Sequence, residues 1–147
     1  MIEVAVSAGA NPTEDREIVR AALKSMFPES EPAYEEISEF SGIFSFKGDI
    51  HSLVNIHYMI RQEQIIDTAR TQLYKGMSKN ERSTSFIISK QVATVGRLNF
   101  PAQEEPLGSI EISIMADSPE ELLRFFDWLT PPTENGIANF ELDITSV

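Results

Sequence analysis

The stretch SIEISIMADSPEELLRFFDWLTPP, residues 109–132, decides the fold. Ile110, Ile112 and Ile114 alternate with Glu111 and Ser113, the period-two pattern of a strand with one buried face. Within a few residues the period changes. Ser118-Pro119-Glu120-Glu121 is a capping box with proline at the first helical position. Leu122, Leu123, Phe125, Phe126 and Leu129 then recur at helical spacing until Pro131-Pro132 stop the helix. A half-buried strand followed directly by an amphipathic helix implies that helices cover the apolar face of a sheet.

The same two periods recur upstream. Residues 2–8 alternate as a strand; Asn11-Pro12-Thr13-Glu14 offers an N-cap, and Ile18, Val19, Ala22, Leu23, Met26 and Phe27 form the stripe of a helix over 12–27. Residues 33–38 and 42–47 read as two short strands of a meander. Asp49 caps a helix carrying Ile50, Leu53, Val54, Ile56 and Ile60, which continues or kinks into a second with Ile65, Ile66, Ala69 and Leu73, closed by Gly76. Residues 84–89 form a further strand, and 95–100 with 109–115 another pair joined by the acidic loop 101–108. Too few helices separate the strands for regular βαβ alternation, so the expected class is α+β: one domain over 1–147, a mainly antiparallel sheet with helices packed on one side. Residues 132–147 are expected as a loosely packed C-terminal tail held by Phe140.

Composition narrows the function. The 147 residues are 41% hydrophobic and 9% aromatic, ordinary values for one globular domain. Zero cysteines exclude a disulfide framework, a thiolate metal site and a thiol nucleophile, and suit a cytoplasmic location. The start, MIEVAV, lacks the basic and apolar regions of a signal peptide, and no apolar run approaches the roughly 18 residues of a membrane span. A protein neither exported nor membrane-spanning is expected. His51 and His57 are six apart and point to different helix faces, and no Gly-x-Ser-x-Gly elbow is present. Ala8-Gly9-Ala10-Asn11 joins strand to helix like a phosphate cradle, but it has one glycine, no following lysine, and Glu14 and Asp15 beside it. The adjacent acids Glu35-Glu36, Glu104-Glu105 and Glu120-Glu121 do not converge. No catalytic residue, metal or cofactor is expected.

The net charge of −11 is unevenly spread. Residues 61–100 carry seven bases against three acids, whereas 1–60 and 101–147 are acidic. From charge alone these bases read as the solvated faces of a helix and a hairpin.

Four motifs in order add a resemblance: Arg61-x-Glu63-x-Ile65-Ile66-Asp67-x-Ala69-Arg70, Phe86-x-x-x-Lys90-Gln91-x-Ala93-x-x-Gly96, Pro106-Leu107-Gly108-Ser109-Ile110, and Asp127-Trp128-Leu129-Thr130-Pro131. Over essentially its whole length the chain resembles an uncharacterised archaeal family catalogued as RNA-binding. That family is related to an inferred exosome subunit, and its fold is like that of the ribosomal protein that holds 5S RNA. The resemblance implies RNA as the partner and no enzyme, metal or cofactor; taken with the basic middle block, it leads to the expectation of non-catalytic RNA binding through a central cationic face. Arg70, Tyr74 and Lys75 would supply phosphate contacts and a stacking surface, and Lys90, Gln91 and Arg97 would grip the backbone. The competing expectation is a protein-interaction module that self-associates as a homodimer, its acidic ends attracting a second copy's basic middle.

Overall fold

The computed structural model describes residues 1–103 and 105–147; Glu104, of the acid pair above, lies outside the described residues. Five strands form the main sheet: β1 (Glu3–Ala10), β2 (Ala33–Ser38), β3 (Ser41–Gly48), β4 (Ser83–Ile88) and β5 (Ile110–Met115), in the spatial order β2-β3-β1-β5-β4. Every pairing is antiparallel. Alternation assigns the faces: Val4, Val6, Ala8 and Ala10 of β1, Thr84, Phe86 and Ile88 of β4, and the three isoleucines of β5 are buried. Glu3 and Glu111 point to the open side. Each fully buried Ile or Phe contributes roughly 1.5–3 kcal/mol by leaving water.

Helices α1 (Arg16–Met26), α2 (Val54–Gln62), α3 (Ile66–Lys75), α4 (Lys90–Ala93) and α5 (Pro119–Leu129) surround the buried face. Their apolar stripes close one core, with Leu23, Met26, Ile56, Ile60, Leu73, Phe125 and Phe126 almost wholly inaccessible. Ser118 caps α5 as expected, accepting from Glu121 N–H at 3.2 Å. A 3₁₀ turn, Ile50–Leu53, leads into α2, and the break between α2 and α3 is made by Gln64 in the left-handed region at φ 57°. No helix among the described residues is long and apolar enough to cross a membrane.

Three local expectations are corrected. The first helix starts at Arg16 with Asp15 as its cap, because Asn11–Glu14 closes a separate turn: Glu14 N–H donates to Asn11 O at 2.9 Å, and Glu14 Oε1 accepts from Asn11 N–H and Nδ2, each at 2.9 Å. Residues 95–100 are not a strand. Both edges of β5 are taken by β1 and β4, and the chain turns instead through Gly96 at φ 75°, leaving Val95 73% exposed. The C-terminal segment is not held by Phe140: β6 (Thr133–Glu134) and β7 (Ile137–Ala138) form a small hairpin, and the partly buried Leu142, Ile144 and Val147 pack on the core while Phe140 stays exposed. Arg61 fixes it, donating to Glu141 at 2.6 and 3.1 Å and to the carbonyls of Leu129 and Trp128 at the end of α5.

Candidate nucleic-acid interface

Arg70 and Tyr74 lie one turn apart on α3, Lys75 follows Tyr74, and with Asp67 and Thr71 they line a shallow depression of about 610 Å³. Arg70 is already engaged. Its guanidinium donates to Asp127 at 3.1 Å and to the Thr130 carbonyl at 2.6 Å, and lies 5.2 Å from the Tyr74 ring centre. Tyr74 packs against Phe126, so part of its ring is used in the fold. Lys75 is exposed and has no acid partner among the described residues.

Beyond Gly76 the chain closes a tight loop, Ser78 N–H donating to Ser83 O at 2.9 Å. Asn80 Oδ1 organises it by accepting from Ser78 Oγ and Arg82 N–H at 2.7 and 3.1 Å. Lys79 and Arg82 project from this loop, exposed and likewise unpaired among the described residues. Both belong to the basic block of the sequence but lie outside the six residues expected above to contact RNA. The signal was present: a Ser-Lys-Asn-Glu-Arg turn between a helix-stopping glycine and a strand.

The other three selected residues are placed differently. Lys90 is turned inward and 1% exposed, its ammonium donating to Gly9 O (2.7 Å), Glu14 Oε1 (2.9 Å) and Leu107 O (2.6 Å). It cannot reach a phosphate, which corrects the expectation that it grips RNA. Burial opposes ionisation of Glu14, but hydrogen bonds from Asn11 N–H and Lys90 outweigh it and hold the carboxyl below its usual value. Arg97 makes a two-pronged contact with Glu63 at 2.7 and 3.1 Å, which lowers the Glu63 pKa and raises that of Arg97. Gln91 is exposed on α4. Lys90 and Gln91 follow the last residue of β4 whereas Arg82 precedes its first, so the length of the strand, roughly 20 Å, separates the two groups.

The lopsided charge of the sequence thus has an intramolecular use. Of the seven bases in 61–100, four are paired: Arg61 with Glu141, Arg70 with Asp127, Lys90 with Glu14, and Arg97 with Glu63. Three of those acids come from the acidic ends. The bases of this block left without an acid partner among the described residues are Lys75, Lys79 and Arg82.

His51 leans on Asp49, and His57 stacks on Trp128 at 4.7 Å. Among the described residues no group of three acids or histidines gathers as a metal site.

The antiparallel α+β fold has a family counterpart: a family model described as "RNA binding" matches residues 3–116, which span the whole main sheet. The chain belongs to that family, whose archaeal members here carry the name UPF0201. It is 41% identical to a UPF0201 protein of Methanosarcina acetivorans over 156 aligned positions, covering 100% of this chain and 95% of the relative. A UPF0201 protein of Aeropyrum pernix is 34% identical, covering 95% and 92%. The crystal structure of the UPF0201 protein from Methanococcus jannaschii superposes with a TM-score of 0.83 at 32% identity, over 92% of this chain and 98% of that one.

Proposed function

We propose that this protein binds RNA without transforming it, holding phosphates with Lys75, Lys79 and Arg82 beside the exposed edge of Tyr74. The observation that carries the reading is that the only bases of the 61–100 block without an acid partner among the described residues sit together in sequence on one helix end and the loop after it. Exposed acids elsewhere weigh little, because at physiological salt their fields decay within about 8 Å. One partly covered aromatic ring gives a poor stacking platform, which favours backbone contacts on a structured RNA over bases read singly. Kinship with an exosome component and likeness to the 5S-RNA-holding ribosomal protein would fit such a ligand. Self-association is the weaker reading: Glu14, Asp127 and Glu141, which a second copy's bases would seek, already hold bases of their own chain.

The test is the salt dependence of affinity for a structured RNA. Neutralising Lys75, Lys79 and Arg82 together should lower the log–log salt slope by about 0.7–0.9 per phosphate contact, roughly 2–3 in all, and leave the RNA intact. An unchanged slope, or no binding by the parent protein at low salt, refutes the reading.

A further inference from the structure

A second concavity lies elsewhere, in the acidic first part of the chain. A groove of about 800 Å³ runs between the α1–β2 connection, the end of β3 and the start of α2. Three features describe what fits it. First, β3 continues to Gly48, but β2 pairs with it only as far as Ser45, so the backbone groups of residues 46–48 that face away from β1 meet no strand. The groove therefore opens onto a short free strand edge, where an extended chain can add main-chain hydrogen bonds. Second, its opposite wall carries exposed apolar side chains, Val54 at 50% and Tyr58 at 59%, one helical turn apart, with Phe27 and Phe46 also lining it. Third, three acids, Glu29, Glu31 and Asp49, line it against one base, Lys47, and of these acids Glu29 and Asp49 have no lysine or arginine partner among the described residues.

We infer that this groove docks an extended segment of a partner protein in which apolar residues alternate with Lys or Arg, added as a strand alongside residues 46–48. The carboxylates select against RNA here. They also select against a second copy, whose own exposed edge strand β2 would bring Glu35 and Glu36 into an already acidic groove. The site is independent of the cationic turn.

The probe is the peptide acetyl-Lys-Val-Lys-Ile-Lys-Val-amide, titrated into the ¹⁵N-labelled full chain near physiological salt. Backbone amide shifts confined to residues 27–31 and 46–58 are expected, with no response to the same peptide carrying Glu in place of Lys. Val54→Ser with Tyr58→Ser, both at exposed positions, should weaken binding about tenfold, as should a probe N-methylated at alternate residues. The variant neutralised at Lys75, Lys79 and Arg82 should bind the peptide as the parent does. The inference is overturned by no shifts at millimolar peptide, by shifts elsewhere, by indifference to the V54S/Y58S pair or to N-methylation, or by equal binding of the Glu peptide. It is also overturned if RNA displaces the probe, or if V54S/Y58S abolishes a concentration-dependent dimer.

Discussion

Replacing Lys90 with methionine separates the structural role of this residue from any role in binding. Lys90→Met keeps the length of the buried stem and removes a charge that donates to Gly9 O, Glu14 Oε1 and Leu107 O. Breaking a buried pair by deleting one partner costs about 3–5 kcal/mol. The low end applies, because Asn11 still donates to Glu14 at 2.9 Å through N–H and Nδ2 and to Leu107 O at 2.7 Å. A loss of about 3 kcal/mol at roughly 2–4 °C per kcal/mol lowers Tm by about 6–12 °C. Urea unfolding should give a lower midpoint with an unchanged m-value. Adding Glu14→Gln to Lys90→Met should recover about 1 kcal/mol by removing the stranded carboxylate. The folded pKa of Glu14 is depressed below its ordinary 4.5, so the pair's contribution is present above about pH 4.5 and disappears as pH falls through the depressed value; parent and variant should converge there. RNA affinity should be unchanged. A variant within about 1 kcal/mol of the parent, or one that keeps its stability and loses RNA, refutes the assignment.

Arg61→Ala removes the donors that hold Glu141 and the α5 carbonyls; hydrogen exchange should quicken across 133–147, with a loss of about 1.5–3 kcal/mol. His57 has its pKa lowered by burial and by the neighbouring Arg61 against a weaker pull from Glu141, so the unfolded chain takes up a proton first. Stability should therefore fall as pH drops below about 6.5, and His57→Phe, which can still pack on Trp128, should remove that slope in pH-dependent unfolding. Gly76→Ala would set a Cβ 1.8 Å from the Ser85 carbonyl oxygen, and a melting curve should register a loss of about 1–3 kcal/mol; Gly9→Ala, with nothing within 4 Å, should be close to neutral.

What could be read from the sequence follows from the range of the forces involved. β2 and α5 were legible to the residue because alternation, caps and prolines are local signals. The start of α1 was not, since Glu14 joins a turn completed by Lys90, 76 residues away. The same limit governs the site. Arg70 looked free because its acid, Asp127, lies 57 positions along the chain, and Lys90 looked exposed because its three oxygen partners come from three separate loops or strand ends. Lys79 and Arg82 depend only on their own turn, which is why their exposure was readable in principle.

The position of β1 has a consequence for synthesis. Of this sheet's strands β1 is made first, yet it lies in the middle of the finished sheet, flanked by β3 and by β5, and β4 meets the rest only through β5. Until residues 110–115 leave the ribosome, the nascent chain holds a three-stranded piece and a stranded fourth, each presenting an unzipped apolar margin. Pairings this distant close slowly and are open to wrong partners meanwhile. Premature termination anywhere before residue 109 should therefore yield an aggregating fragment instead of a smaller soluble domain.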